Sequence, residues 1–254
     1  MHTPDTAIEQ NIKPVVTVIM PCHNHSKMVG EAIDSVISQD YRPINIAVID
    51  DGSTDNPYDA IKERIEKSKT DIGLNILYIK NPEPTGPSAA RNKGIQQTWN
   101  ESDVFMMLDA DDLYLPGKIE KSVEKFLEYP EYIGIVYTDA IIENINTGSK
   151  VHEFRRYFDR QELEKECIIS NTPLVSKKAL QDCGGYDEGM RTCEDWDLWL
   201  RITENFIAIH IPETLHVYHV TGKNSSDIVS QEVWRENWAK ISQRIAERKN
   251  ALSH

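Results

Sequence analysis

The chain has 254 residues and a formal net charge of −13 at pH 7. Its length suits one large α/β domain, with or without a small appendage. An acidic protein of this kind is not expected to bind nucleic acid or an anionic membrane non-specifically. Anionic substrates stay compatible with the composition, because a metal ion or a local basic group can reverse the field inside a cleft.

The four cysteines, Cys22, Cys167, Cys183 and Cys193, show no CxxC spacing of the kind that holds a metal. Reduced thiols in a cytoplasmic protein are therefore the expected state, and a Cys183–Cys193 disulfide is the alternative. No stretch approaches the roughly 20 apolar residues of a membrane span. We expect a soluble, cytoplasmic protein, with peripheral membrane contact left open.

The N-terminal half alternates apolar runs with amphipathic segments. The apolar runs predict strands over residues 15–20, 44–49, 74–80 and 104–108. The segments that follow them predict helices at 29–37, 60–69, 88–99 and 118–129. Such alternation is typical of a parallel sheet covered by helices, and ligands of these sheets bind at the carboxyl ends of the strands.

The second half is less regular. We predict a strand over 133–137, a turn between strands at 144–148, and helices over 159–166, 196–202 and 230–249. The aromatic and cationic segment 154–158 is interpreted as a packed connector, with an acceptor groove as the alternative. The terminal amphipathic helix is expected to dock on its own domain; pairing with a second subunit or contact with a membrane that carries a lipid-linked acceptor are the alternatives.

Three carboxylates, Asp109, Asp111 and Asp112, follow the strand predicted over 104–108. Like charges this close together repel one another, and burial would raise their pKa values unless a cation or hydrogen-bond donors compensate. Carboxylate oxygens suit Mg²⁺ or Mn²⁺. Alone, however, the triplet is more typical of a solvated acidic turn, with Asp112 or the following segment capping a helix that begins near Pro116.

Polar segments follow all four predicted strands, at residues 21–25, 50–55, 81–88 and 109–112. The carboxyl ends of parallel strands meet at one edge, so these segments should converge there and could bind the ribose, base and diphosphate of a nucleotide. The chain contains neither a phosphate-binding P-loop nor a dinucleotide-binding G-x-G-x-x-G after a strand, which argues against NTPases and dehydrogenases.

Five sequence motifs together are similar to those of a known enzyme family. They are VIMPCHN at 18–24, VIDDGSTD at 48–55, GPSAARNKG at 86–94, LDADD at 108–112 and CEDWDLWLR at 193–201. In this order they resemble the motifs of family 2 glycosyltransferases. The resemblance implies a GT-A fold, which is a Rossmann-like α/β arrangement with an open mixed sheet flanked by helices.

The resemblance also implies a division of the chain. Residues 1–14 form an extension, and 15–226 form the glycosyltransferase domain, with a nucleotide-binding half at 15–112 and an acceptor half at 113–226. Residues 227–254 form the terminal amphipathic helix.

Residue roles are carried over only to matching positions. The resemblance implies nucleotide contacts from Pro21, His23, Asn24, Asp50, Asp51, Arg91, Asp109 and Ala110. It implies a Mn²⁺ or Mg²⁺ ion held by Asp111 with Asp109. Asp195 would be the general base, supported by Glu194, while His219 and Trp196 are additional candidates for the metal site and a sugar platform. Arg91 could instead form a salt bridge with one of the acids of the cleft.

The sequence departs from the family pattern at three positions. His23 replaces a common tyrosine, His219 replaces the arginine of a tyrosine–arginine pair, and Thr221 stands where a histidine is expected. Residues 215–226 resemble a flexible loop that closes over the donor, although His216 and His219 are more typical of histidines in a strand with satisfied hydrogen bonds than of metal ligands.

These motifs predict an inverting glycosyltransferase that uses a nucleotide-diphosphate sugar, such as a UDP-sugar, and a glycan or lipid-linked acceptor. A binding protein that has lost catalysis is one alternative. A nucleotidyltransferase is another, but it would normally carry a basic glycine-rich loop early in the chain, where residues 21–24 offer none. The sequence identifies neither the sugar, the base nor the acceptor.

Overall fold

The computed structural model describes residues 13–222, 224 and 229–251. The strands are β1 Val16–Cys22, β2 Ile44–Asp51, β3 Leu74–Asn81, β4 Val104–Met107, β5 Leu113–Tyr114, β6 Ile133–Asn144, β7 Ser149–Glu153, β8 Leu174–Ser176 and β9 Ile207–Val220. The helices are α1 Val29–Ile37, α2 Tyr58–Ser68, α3 Pro87–Thr98, α4 Lys118–Leu127, α5 Arg160–Leu163, α6 Lys177–Cys183, α7 Glu194–Ile202 and α8 Gln231–Ala251.

The predicted parallel sheet is confirmed in the N-terminal half. Strands β3, β2, β1 and β4 are neighbours in that order, and all three pairings are parallel. Helix α3 lies against β1 and β2, where a Cβ atom on Gly94 would come within 2.6 Å of the Ile49 side chain. The absence of a side chain at Gly94 therefore lets the helix approach the sheet closely.

The second half completes the sheet in a way that the sequence did not predict. Strand β8 lies between β4 and β6 and is antiparallel to both, and β9 then pairs with β6 in parallel and with β5 antiparallel. The predicted turn at 144–148 joins β6 to β7. The expected loop over 215–220 is wrong, because these residues belong to β9; of 221–226, only 221, 222 and 224 lie within the described residues.

Two apolar cores cover the two faces of the sheet. One contains side chains of α1, α2 and α4, and the other contains side chains of α3, α6 and α7. The second core also receives Ile241 and Ile245 of α8, so the terminal helix docks on its own chain as expected. None of the helices built from described residues combines the length and apolar character that a membrane crossing needs.

Two smaller interpretations need correction. Helix α4 starts after Gly117, whose φ is 82°, and it has no side-chain cap, so the acidic triplet does not cap it. In the segment 154–158, Phe154 and Tyr157 are mostly exposed and only Phe158 packs on the core, so the packed-connector interpretation fails for the first two rings. All four cysteines are free, as expected.

Candidate active site

The carboxyl ends of β1, β2, β3 and β4 bring the predicted polar segments to one edge of the sheet. Pro21 lies within β1, opposite Ile49 of β2. His23 and Asn24 follow β1 and are exposed, whereas Asp50 and Asp51 end β2 and are buried. The four segments meet as the parallel topology requires, and they form the floor of a polar cleft.

The loop after β1 is tied to the loop after β2. The imidazole Nδ1 of His23 donates to the carbonyl oxygen of Asp51 at 2.7 Å, while its Nε2 lies 3.0 Å from the Asn24 amide nitrogen. Asn24 also accepts from the backbone N–H of Thr54 at 2.9 Å. His23 is therefore held in one orientation and still presents an exposed ring.

The two acids at the end of β2 are occupied by protein groups. Asp50 accepts from the Tyr78 hydroxyl at 2.6 Å and from the Ser53 N–H at 2.9 Å. Asp51 accepts from the Asn81 amide at 2.7 Å, the Thr85 hydroxyl at 2.7 Å and the Gly86 N–H at 2.8 Å.

Asp51 therefore fixes the loop between β3 and α3. Burial raises the pKa of this carboxyl, but the hydrogen bonds from Asn81, Thr85 and Gly86 outweigh burial and lower the pKa below its usual value. The carboxylate stays ionised while holding the loop. Its predicted contact with a nucleobase stays a prediction.

Arg91 of α3 connects two parts of the cleft. Its guanidinium donates to Asp109 at 2.7 Å and to Glu194 at 2.9 Å, and it lies 5.3 Å from the centre of the Tyr186 ring. The side chain is 7% exposed, so both ion pairs are shielded from water. Arg91 thus links the acidic triplet after β4 to the acid pair at the start of α7, although Glu194 is 103 residues from Arg91 in sequence.

The acidic triplet is more buried than a surface turn would be. Asp112 is fully buried and accepts from the backbone N–H of His219 at 2.9 Å and from the Asn171 amide at 3.0 Å. Burial, followed by the charges of Asp109 and Asp111, raises the pKa of Asp112 well above its usual value. The turn is therefore not a solvated one.

Asp111 is also buried, at 7% exposure, and it lies between the other two acids of the triplet in sequence. Its carboxylate accepts from the Asn224 amide at 3.3 Å and lies 3.9 Å from Nε2 of His25. Burial and then the charge of Asp109 raise the pKa of Asp111. Carboxylates with raised pKa values on an open cleft need more positive charge than the protein supplies, which fits a divalent cation.

The described side chains would supply only some of the ligands that a divalent ion needs. Within the described part of the chain, no three histidine, cysteine or acidic side chains form a group that could hold a metal. Asp109, the second predicted ligand, is occupied by Arg91 and lies 3.4 Å from the Asn171 amide. A cation at Asp111 would therefore complete its shell with phosphate oxygens and water, as Mg²⁺ commonly does.

The acid pair begins α7. The preceding residue, Cys193, has a φ of 59°, and Glu194 pairs with Arg91. Asp195 accepts from the Trp196 N–H through Oδ1 at 2.7 Å, and no described residue donates to its second oxygen. Burial, followed by the neighbouring Glu194, raises the pKa of Asp195 to about 6. A partly buried carboxylate with one free oxygen and a raised pKa is suited to accept a proton.

The two additional candidates, Trp196 and His219, are both buried. Trp196 is 3% exposed, and its Nε1 donates to the Leu163 carbonyl at 2.6 Å, so the ring lies in the core rather than facing a sugar. His219 is in β9, with Nδ1 hydrogen-bonded to the Asp111 carbonyl and Nε2 3.8 Å from Glu143. Thr221 donates to the Asn224 side chain, and Ala110 is buried.

Sequence reasoning missed several groups at this site. Asn171 donates to the acidic triplet, His25 approaches Asp111, Asn224 donates to Asp111, and Tyr186 lies under Arg91. Asn171 lies three residues before the start of β8, a three-residue strand that has no recognisable pattern. Only its position beside β4 brings this asparagine to the acids.

The chain is similar to known proteins in sequence and in fold. Residues 17–182 match the model of the family described as Glycosyl transferase family 2. An uncharacterized glycosyltransferase of Rickettsia bellii is 29% identical over 219 residues, which cover 83% of this chain and 29% of that protein.

Two solved structures have the same fold. TarS of S. aureus, residues 1–349 in complex with UDP-GlcNAc, aligns with a TM-score of 0.69 at 18% identity, covering 85% of this chain and 61% of that one. The mannosyltransferase PcManGT of Pyrobaculum calidifontis, in complex with GDP-Man and Mn²⁺, aligns with a TM-score of 0.64 at 20% identity, covering 85% and 59%.

The chain thus spans less than a third of the Rickettsia relative and about 60% of the two solved chains. Its α/β sheet, curled and flanked by helices, resembles that of GT-A glycosyltransferases, as the motifs imply. Since the family match extends over well more than half of its residues, the chain belongs to Glycosyl transferase family 2.

Proposed function

We propose that this protein is an inverting, metal-dependent glycosyltransferase. It would transfer a sugar from a nucleotide-diphosphate sugar, a UDP-sugar in the first instance, to an acceptor hydroxyl of a polysaccharide, glycan or glycolipid. One observation carries the proposal: Arg91 joins the acidic triplet to the acid pair, so a group suited to a cation and a group suited to a proton share one cleft.

The proposed chemistry assigns a separate task to each end of this arginine bridge. Asp195 takes the proton from the acceptor hydroxyl as its oxygen attacks the anomeric carbon, and the nucleoside diphosphate leaves from the opposite face. A single displacement of this kind inverts the anomeric configuration. Asp111 would hold the divalent ion, which as a Lewis acid stabilises the negative charge of the leaving diphosphate.

The remaining residues of the proposed site position the groups that contact the donor and the base. The exposed ring of His23 is held by the Asp51 carbonyl and is available to stack on a nucleobase. Asp51 fixes the 81–86 loop beside it. Arg91 pairs with both Asp109 and Glu194, so it holds Glu194 in place beside Asp195.

Ligand-induced stabilisation tests this proposal directly. We expect nucleoside diphosphates or nucleotide sugars with one base, in the presence of Mn²⁺ or Mg²⁺, to raise the thermal transition temperature. A ligand at 100 times its dissociation constant adds about 2.7 kcal/mol to native-state stability. For a chain of this size that corresponds to roughly 5–10 °C. Differential scanning fluorimetry across the panel measures it.

The chelator series is the control for the metal. The same nucleotides with EDTA should give a small shift or none, whereas the ion alone should have little effect. A full shift in EDTA would contradict metal dependence, and no shift with any nucleotide would contradict the donor site. Donor binding without transfer to any acceptor would instead favour a binding protein that has lost catalysis.

The pH dependence of transfer should follow Asp195. A general base acts only when deprotonated, and the pKa of this carboxyl is raised to about 6. With donor and metal in excess, we expect kcat/KM for the acceptor to fall about tenfold per pH unit below that value and to be level above it. Initial rates between pH 4.5 and 8 measure it. A profile that stays flat down to pH 4.5 would exclude Asp195 as the base.

A further inference from the structure

The acid pair directly follows, in sequence, a loop that has little regular secondary structure. We call residues 186–193, between α6 and α7, the acid loop. It starts after Gly184 and Gly185, ends at Cys193 with a φ of 59°, and leads directly into Glu194 and Asp195. Helix α7 has no side-chain cap at its start. The orientation of Asp195 therefore depends on whatever holds this loop.

The terminal helix α8 contacts both ends of the acid loop. The Arg244 guanidinium donates to Asp187 at 2.6 Å and to Asp197 of α7 at 2.6 Å. The Asp197 side chain is 1% exposed, and its other oxygen accepts from Arg201 at 2.9 Å. One side chain of α8 thus joins the beginning of the loop to the helix that carries Asp195.

Two more residues on the same face of α8 hold the middle and the end of the loop. The Asn237 amide donates to the Thr192 hydroxyl at 2.9 Å, and both side chains are buried. Lys240 donates to the Gly189 carbonyl at 3.1 Å. Residues 237, 240 and 244 lie on one side of a helix because their spacings are three and four.

Other contacts would be enough to dock the helix. Ile241 is buried in the core, the Trp238 ring packs edge-on against Trp196, Arg248 pairs with Glu204 at 2.5 Å, and Lys249 pairs with Glu164 at 2.6 Å. The partners of Trp238, Arg248 and Lys249 all lie outside the acid loop. The bonds from Asn237, Lys240 and Arg244 are therefore additional to docking, and they all converge on the segment that precedes the acid pair.

We infer that α8 is a positioning element for the active site, in which Arg244 and Asn237 fix the acid loop and thereby the direction of the Asp195 carboxylate. This inference rests on the proposed function, in which Asp195 is the base. The acid loop, α7 and α8 all lie beyond residue 182, where the family match ends. The contacts between α8 and the acid loop are therefore formed entirely outside the matched region.

Three variants of the full chain test the inference. Arg244→Gln removes both ion pairs, and Asp187→Asn removes the loop end of the bridge without leaving buried Asp197 unpaired, since both Arg244 and Arg201 still donate to it. Arg248→Gln is the matched control on the same helix. Amide hydrogen exchange over residues 187–193, measured without substrates, reports loop order. Steady-state kinetics report kcat and the donor KM separately.

We expect faster exchange in the acid loop and a lower kcat for Arg244→Gln and Asp187→Asn, with the donor KM unchanged. A fall in kcat of at least tenfold is expected, because a displacement of ~1 Å can cost about 10²-fold in rate. The double variant, with Arg244→Gln and Asp187→Asn together, should be no slower than Arg244→Gln alone, because both changes break the same contact between residues 244 and 187. Arg244→Lys should recover part of the rate, since an ammonium reaches one acid at a time.

Some outcomes overturn the inference and others concern only the base. Unchanged exchange in the loop, or a loss of rate in Arg248→Gln equal to that in Arg244→Gln, would show that α8 contributes stability alone. Faster exchange with unchanged kcat would show that loop order does not matter for transfer. If Asp195→Asn is fully active, the proposed base is wrong, while the exchange data still decide whether α8 orders the loop.

Discussion

Replacing Asp195 by asparagine is expected to abolish sugar transfer while leaving donor binding intact. The asparagine has nearly the same shape and can still accept from the Trp196 N–H through its oxygen, but it cannot take a proton from the acceptor. Loss of a general base typically costs about 10²–10⁴-fold in rate. We expect a fall in kcat near the upper end of this range, because we identify no other described side chain that is placed to accept the proton in place of Asp195.

The measurement pairs an initial-rate assay with a donor-binding assay on the same preparation. Asp182→Asn is a suitable control, since Asp182 is an exposed acid of α6 whose ion-pair partner among the described residues is Lys178, at 2.9 Å. The control should keep both activity and binding. An active Asp195→Asn enzyme would mean that another group accepts the proton, and loss of donor binding would mean that Asp195 belongs to the donor site.

Replacing Asp111 by asparagine is expected to have two opposite effects. Metal-dependent donor binding should disappear, because a neutral amide is a poor ligand for Mg²⁺ or Mn²⁺. The ligand-free protein should at the same time become more stable at neutral pH. The pKa of Asp111 is raised in the folded state, so ionisation of this carboxyl opposes folding above the unfolded-state pKa, and asparagine removes that opposition.

Thermal unfolding of both proteins, with and without donor and metal, separates the two effects. For Asp111→Asn we expect a higher transition temperature without ligands and no further rise with donor and metal. The exposed Asp40, changed to asparagine, should behave like the native protein in both conditions. A native-like donor shift in Asp111→Asn would remove Asp111 from the metal site.

The N-terminal half of the fold could be predicted because local patterns decide it. Strands β1 and β2 are continuous buried runs, and α1 buries Val29, Ile33 and Val36 on one face. The hydrophobic periodicity and the turn residues are therefore enough to identify these elements and their sequence along the chain. The second half depends on pairing partners. Three residues are too few to show that β8 is a strand, and the resemblance to a flexible loop masks the strand over 215–220, although His216 and His219 are interpreted as strand histidines.

The candidate site divides in the same way. Its acids could be located because each follows a predicted strand or begins a predicted helix. What each acid contacts could not be predicted, because the partners come from remote parts of the chain. Asp51 is satisfied by Asn81, Thr85 and Gly86, while Asn171 serves the triplet and Arg91 reaches Glu194. These pairings require the tertiary fold.

The position of β8 has a consequence for how the chain is made. Strands β1 to β4 form a parallel unit, but the free edge of β4 is a run of four buried apolar residues that pairs with β8 only when residues 174–176 are available. During synthesis the ribosome must release nearly seventy more residues before that edge is covered. Open apolar edges pair readily with other chains. Nascent fragments that end before β8 should therefore depend most on chaperones, and should aggregate when they are produced on their own.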